Sequence, residues 1–400
     1  MADSRSRTRT VWREPGMPGL LLTTGLAFAG FAVLMPVAPM HVIALGGNPF
    51  LAGLANAVLM ATTILTQLVV ERVRSRIGWS AILVLGCLLL GVPALVEIFA
   101  GKAWHVILLA AVRGTGFGII TVCGASAVAV LFAPERRGRA VGAYGLAVAA
   151  GQLVLTPASP WIAETAGFTT TFVLAAIPIV GVPFAISAGA TIERRARDAS
   201  SVATGPPSMI DRRRAFTRVL PAIVALTAVT CSGGAIMTFA PQFVAEAVLT
   251  LVALLVFTAA AAFSRWLAGG WADRHGAKTF IVPALCIAVL GLVAIAGGMA
   301  GSAGNVSQVL LVAGALLVGT SFGTMQNVTL VRAFELAGEQ AKGTASTAWN
   351  VAFDAGTGIG AMAIGALATR TSFAFSFVLL AAMCLVVGVA LLATARPTRQ

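Results

Sequence analysis

Polar residues are sparse along this chain and clustered. Between the clusters lie apolar runs of roughly sixteen to twenty-three residues, such as Leu20–Val42, Ala81–Val96 and Ile281–Ala300. A helix needs ~20 apolar residues to cross ~30 Å of hydrocarbon. Inside lipid every backbone N–H and C=O must be bonded within its own segment, so such runs can only be helical. The pattern predicts twelve segments, at 19–43, 50–71, 80–99, 104–132, 139–163, 168–191, 219–244, 247–271, 279–299, 306–334, 344–368 and 373–395. Short connections with turn chemistry join them, for example Gly46-Gly47-Asn48-Pro49 and Gly301-Ser302-Ala303-Gly304-Asn305. The expected class is an all-α integral membrane protein with about 12 transmembrane helices.

Charge placement tests that count. Only 10% of the 400 residues are charged, and the mean hydropathy is +0.94. A net charge of +13 would suggest a nucleic-acid partner in a soluble protein. Here the basic residues alternate from gap to gap. Arg5, Arg7, Arg9 and Arg13 precede the first segment, Arg72, Arg74 and Arg76 follow the second, and Arg136, Arg137 and Arg139 follow the fourth. Arg194 through Arg218 follow the sixth, Arg274 and Lys278 the eighth, Arg332 and Lys342 the tenth, and Arg396 and Arg399 the last. The intervening gaps hold only Lys102 and Arg370, while Arg113 and Arg265 fall inside segments. The positive-inside rule makes the basic side cytoplasmic, which puts both termini of a multi-pass cell-membrane protein there. No arginine cluster is interleaved with stacking aromatics, so nucleic acid is excluded as a partner.

Other signals agree. Trp12, Trp79, Trp104, Trp161, Trp266 and Trp271 sit near segment ends, as an interfacial belt would. Cysteines 87, 123, 231, 286 and 384 have no CxxC spacing and read as small apolar packers. His41, His105 and His275 are scattered, so neither a metal nor a cofactor is expected. The first apolar run is too long for the core of a signal peptide.

The chain divides into a tail at 1–18, a first six-helix bundle at 19–191, a polar linker at 192–218, a second bundle at 219–395 and a tail at 396–400. The halves repeat. Gly114–Gly118 (GTGFG) recurs as Gly319–Gly323 (GTSFG) at an offset of 205. At the same offset Arg137-Gly138 matches Lys342-Gly343, Tyr144 matches Trp349 and Gly151 matches Gly356. Ser75-Arg76-Ile77-Gly78 matches Asp273-Arg274-His275-Gly276 at an offset of 198. Duplicated, pseudosymmetric six-helix bundles recur among secondary transporters.

Gly269-Gly270-Trp271-Ala272-Asp273-Arg274-His275-Gly276-Ala277-Lys278 strongly resembles the loop signature of the major facilitator superfamily. Arg113-Gly114-Thr115-Gly116 resembles its fourth-span arginine motif, and Pro134 through Ala140 its loop before the fifth span. Trp349-Asn350 with Asp354 and Gly356, and Met325-Gln326-Asn327, resemble a group of poorly characterised actinobacterial members. Ser75 stands where the family usually has Asp, and the fifth span, with Gly145, Gly151, Pro157 and Pro160, lacks a clean antiporter signature. The resemblance implies a drug-efflux-like transporter.

Charges at membrane depth are costly and need a reason. Asp354 lies near the midplane, its counterpart in the first half is Ala149, and Asn350 one turn away is positioned to hydrogen-bond it. Desolvation favours the protonated form of a carboxylate, so Asp354, Asn350 and Arg113 are the proton-coupling candidates. A structural acid that pairs a base or caps a Gly-rich turn is the competing reading. Arg113, matched by Val318, stays charged and is an anion site, a modulator of a neighbouring acid, or a bundle-interior arginine bonded to carbonyls. Arg265 is expected to snorkel to the membrane edge. Gln67, Gln152, Thr230, Thr320, Thr324, Gln326 and Asn327 either line a substrate pathway or act as interhelical glue. Gly269, Asp273, Arg274 and Gly276, with Arg137 and Arg139, are the candidates for a conformational latch between the halves. Gly356, Gly358 and Gly360 read as close helix packing, not a dinucleotide loop.

With no nucleotide-binding loop, an ion gradient is the expected energy source. The expectation is a non-enzymatic transporter, working as a monomer in the lipid bilayer, that moves a small-molecule substrate in exchange for protons. Proton-coupled uptake and a non-transporting receptor or scaffold are the alternatives.

Overall fold

The computed structural model describes residues 11–199, 209–244, 246–301, 304–338 and 341–394. Eleven α-helices account for most of these: α1 (Met17–Ala44), α2 (Pro49–Val96), α3 (Ala103–Leu131), α4 (Pro134–Ala175), α5 (Val182–Ala199), α6 (Met209–Phe243), α7 (Ala247–His275), α8 (Lys278–Ala300), α9 (Asn305–Ala337), α10 (Lys342–Arg370) and α11 (Phe373–Thr394). The expected linker at 192–218 is helical up to Ala199 and again from Met209, and residues 200–208 lie outside the described set. So do 1–10 and 395–400, and hence most of both expected tails.

Among the described residues, ten helical stretches are long and apolar enough to cross a bilayer, against the twelve separate segments expected. The difference lies in two stretches, Pro49–Phe99 and Arg136–Asp198, of 51 and 63 residues. At ~1.5 Å per residue each is more than twice the ~30 Å hydrocarbon thickness. Each contains one glycine with non-helical backbone, Gly78 (φ 84, ψ 173) and Gly167 (φ 84, ψ 161). Packing shows that the chain folds back at both. On α3, Gly114 lies against Leu59 and Gly116, two residues along, lies against Leu90, so the two ends of α2 are side by side. On α1, Ala29 touches Gly151 while Gly30 touches Ala175, so α4 is likewise doubled. A positive φ is accessible to glycine without steric cost, which lets one residue do the work of a loop.

The internal repeat is visible atom by atom. Gly114 approaches the carbonyl oxygen of Leu59 and Gly319 that of Phe257; Gly118 approaches that of Thr63 and Gly323 that of Ala261. The glycines differ by 205 and their partners by 198, the two offsets seen in the sequence. Gly116 against Gly86 and Ser321 bonded to the Ala284 carbonyl continue the series. Gly78 and Gly276 share positive φ values of 84 and 80. Both loops therefore require glycine for the same reason.

Large apolar side chains such as Leu108, Leu146, Leu290 and Val386 are exposed on the outer surface. Such a surface is stable only in lipid, and the protein is a multi-pass membrane protein. The halves meet where α10 packs on α2, α4 on α7, and α1 on α6.

Candidate functional site between the two halves

Among the described residues, three polar contacts cross between the halves from α2, and each has a local cause. At the start of α2 the Asn48 side chain caps Leu51 N–H at 3.0 Å and Pro49 occupies the first turn. The N–H of Phe50 has no helical acceptor there, and Thr369 Oγ1 of α10 accepts it at 3.1 Å. Two turns on, Asn56 Nδ2 donates to Met35 O at 2.8 Å and to Thr238 Oγ1 of α6 at 2.9 Å. Met35 O needs that donor because Pro39, four residues along α1, has no N–H to offer it. Eleven residues beyond Asn56, about 16 Å along the same helix face, Gln67 Nε2 donates to Asp354 Oδ2 of α10 at 2.8 Å. Gln67 also lies 3.5 Å from Thr121 Oγ1 of α3.

Asp354 is 6% exposed. Among the described residues no cation pairs with it, and Gln67 is its hydrogen-bond partner. Asn350 does not take the expected role: it is exposed and donates to Ser346 O at 2.9 Å, one turn the other way. A helical asparagine reaches the free lone pair of a preceding carbonyl more readily than a side chain that points away from it. Arg113 is 1% exposed on α3, with Nη2 unpartnered among the described residues, and the acid whose field reaches it is Glu97, not Asp354.

The polar candidates divide into distinct groups. Thr230 packs against Gly356 and donates to Thr227 O, and Gly360 packs on Cys231, so these residues seat α10 on α6. Gly358 faces Met60 of α2. Gln326 accepts from Arg265 Nη1 at 2.8 Å, so Arg265 ties α7 to α9 where simple snorkelling was expected. Asn327, beside Gly269, leaves Oδ1 buried without a partner among the described residues. Thr320 is satisfied by Leu316 O on its own helix, whereas Thr324 and Gln152 are half-buried without a side-chain hydrogen bond among the described residues.

On the latch, Gly276 closes α7, its N–H bonded to Ala272 O at 2.9 Å. The side chain of Asp273 lies outside the described set, and Arg274 and Arg139 are exposed. Arg137 is turned back onto the end of α3, donating to Phe132 O and Ala129 O at 3.0 Å each. Arg136 pairs with Glu14 at 3.3 Å. Glu14 also receives Arg195 at 2.7 Å, tying the segment before α1 to α4 and α5.

The two ends of the interface differ. A Cβ at Gly53 would collide with the Ala361 carbonyl oxygen and one at Gly365 with that of Pro49, so α2 and α10 touch there backbone to backbone. At the other end a Cβ on Gly138, Gly142, Gly145 or Gly343 would meet nothing within 4 Å. At the Pro49–Thr369 end, then, the two halves are in direct backbone contact.

Sequence reasoning missed Asn56, Thr238 and Glu14. Asn56 had a readable signal, since an amide in an apolar run facing a helix with two internal prolines has carbonyls to satisfy. It also missed the approach of His41 to Glu97, at 4.0 Å, both carboxylate oxygens of Glu97 being buried without a hydrogen bond among the described residues.

The sequence matches the family model described as Major Facilitator Superfamily over residues 20–361 and again over 252–400. It is 26% identical over 153 residues to an uncharacterised transporter of Buchnera aphidicola subsp. Schizaphis graminum (strain Sg). That match spans 38% of this chain and 39% of the relative's length. Among solved structures, a peptide transporter, POT, in complex with sulfate superimposes with a TM-score of 0.75 at 16% identity, covering 97% of this chain and 96% of that one. A bacterial homologue of the human lysosomal transporter Spinster, inward-facing and unoccupied, gives 0.72 at 13%, covering 94% and 96%. At these identities the likeness concerns the fold.

Proposed function

The chain belongs to the Major Facilitator Superfamily, and we propose that it is a secondary active transporter that exports a small organic compound in exchange for protons. The observation that carries this reading is Asp354, a buried carboxylate at the contact between the halves whose partner, Gln67, belongs to the opposite half. A carboxylate without a cation at this depth is relieved of its charge by taking up a proton. Its hydrogen bond spans the surface across which alternating access must occur, so gain or loss of the proton changes a contact between the moving parts.

The doubled helices α2 and α4 supply two further crossings, giving twelve arranged as two six-helix bundles. Both termini are cytoplasmic on the charge pattern, so the closely packed Pro49–Thr369 end of the interface faces away from the cytoplasm. Export is favoured by the resemblance to drug exporters, and the polar residues Thr324, Gln326 and Asn327 of α9 are assigned to the substrate pathway.

Transport into inverted vesicles under an imposed pH gradient, screened over a panel of small organic compounds, tests the reading. Accumulation of a compound when the lumen is acid supports exchange for protons. Accumulation only in right-side-out vesicles under an inward proton gradient identifies uptake instead. No gradient-dependent movement in either orientation overturns proton coupling.

A further inference from the structure

Where α2 folds back at Gly78, a surface pocket of about 820 Å³ opens between that turn and the end of α5. Its walls carry four arginines, Arg74, Arg76, Arg194 and Arg197, and one acid, Glu193. The acid is already engaged: Glu193 Oε2 accepts the N–H of Trp79 at 2.9 Å and Oε1 lies 3.8 Å from Arg197. Arg74 is matched by Glu71 at 2.7 Å and stacks on the Trp79 ring, 4.3 Å from its centroid. Arg76 and Arg194 are left. Arg194 reaches only the neutral hydroxyl of Thr191, and Arg76 has no hydrogen-bond or ion-pair partner among the described residues. The pocket therefore holds two cations that no acid of its walls neutralises.

Trp79 is 3% exposed and forms part of the pocket wall, with the Arg74 guanidinium stacked on its ring. The internal repeat explains the excess charge. The equivalent turn of the second half has Asp273 where this one has Ser75, while Arg76 and Gly78 are matched by Arg274 and Gly276. The first half has kept the arginine and the glycine turn but has no carboxylate at that position. The pocket's walls are also firmly set, because Gly189 lets α5 lie directly against the backbone of Ser80.

We propose that this pocket binds the headgroup of an anionic phospholipid through its phosphodiester oxygens, the two unneutralised arginines matching the two singly charged phosphates of a cardiolipin-type lipid. Guanidinium groups suit phosphate oxygens through paired N–H donors. The pocket lies where the apolar run of α2 gives way to Arg72, Arg74 and Arg76, the depth at which headgroups sit. The assignment is independent of any transport activity.

The full chain, purified and reconstituted in nanodiscs, would be tested by native mass spectrometry for retained cardiolipin against phosphatidylcholine. Inorganic phosphate alone would be added as a separate arm. The wild type should retain cardiolipin preferentially. The double variant Arg76→Gln with Arg194→Gln, both exposed, should weaken that retention about tenfold. Arg72→Gln, which removes a nearby charge outside the pocket walls, should change it less than twofold. If millimolar phosphate displaces the lipid in the wild type but not in the double variant, the site is confirmed as a phosphate site with a soluble anion as its other source. Equal retention of the two lipids, or equal losses in Arg72→Gln and the double variant, would show only diffuse attraction of a basic surface and would overturn the proposal.

Discussion

Gln67 and Asp354, 287 residues apart in sequence, are joined by a hydrogen bond of 2.8 Å from the amide of one half to the carboxylate of the other. Hydrogen bonds between transmembrane helices contribute about 0.6–2 kcal/mol each. Replacing Asp354 by Asn keeps the shape and an acceptor but removes the titrating group. Gradient-driven accumulation should fall to background in Asp354→Asn, while substrate binding in detergent stays within about threefold of wild type. Full active transport by this variant would remove Asp354 from the coupling mechanism.

Gln67→Ala leaves the carboxylate in place without its partner. The loss acts on the conformation that is shut at the Pro49–Thr369 end, so the equilibrium should move away from it by about three- to thirtyfold, the equivalent of ~0.6–2 kcal/mol. Cysteine accessibility at both ends of the interface reads this directly.

Asn56 satisfies the carbonyl that Pro39 leaves without a donor and also holds Thr238 of α6. Asn56→Ala should therefore destabilise the protein by about 1–3 kcal/mol. A lowered midpoint of thermal unfolding in detergent is the expected result, with Asn56→Asp no better because a carboxylate cannot donate to Met35 O. An unchanged midpoint would mean that water replaces the amide.

Two glycines, one on α2 and one on α4, give opposite expectations. Gly53→Ala drives a methyl into the Ala361 carbonyl and should wedge α2 from α10, raising cysteine labelling at the shut end. Gly142→Ala meets nothing within 4 Å and gains helix propensity of about 0.8–1 kcal/mol, so stability should be unchanged or higher.

Glu14 draws Arg136 and Arg195 together from two helices and is 8% exposed. Glu14→Gln would leave both arginines facing one another and should cost about 1–3 kcal/mol, discounted for their partial exposure. The thermal midpoint should drop, and high salt should narrow the gap to wild type.

Asp273, on the cytoplasmic side by the charge pattern, is proposed to grip the start of α4 when that side is closed. Arg136 and Arg137 are engaged by Glu14 and by the end of α3, which leaves Arg139 and the positive end of the helix as its partners. Asp273→Asn should increase the inward-open population about five- to tenfold by cysteine accessibility, without loss of substrate affinity. An unaltered labelling pattern would leave Asp273 as a loop charge.

Much of this was legible along the chain. Apolar transfer and internal backbone satisfaction are sums over a single segment, so Leu20–Val42 or Ile281–Ala300 announces a helix without reference to anything else. The repeat was equally plain, because Gly114 and Gly319 sit at close approaches where no side chain fits, and the constraint acts on residue identity directly. The turn at Gly78 looked like a connection between two helices; that a single residue makes it depended on how α3 packs against both arms. Partner choice was not legible at all. Asn350 and Gln67 are both amides able to reach a carboxylate, and sequence distance favoured Asn350. Tertiary packing decided for Gln67, because the rotation of α10 against α2 is set by Gly53, Gly358 and Gly365 and turns Asp354 toward the other half. Arg137 and Arg265 show the same limit. A long charged side chain takes whichever carbonyl or amide the fold brings within reach, and that is determined by helix rotation, which no single segment encodes.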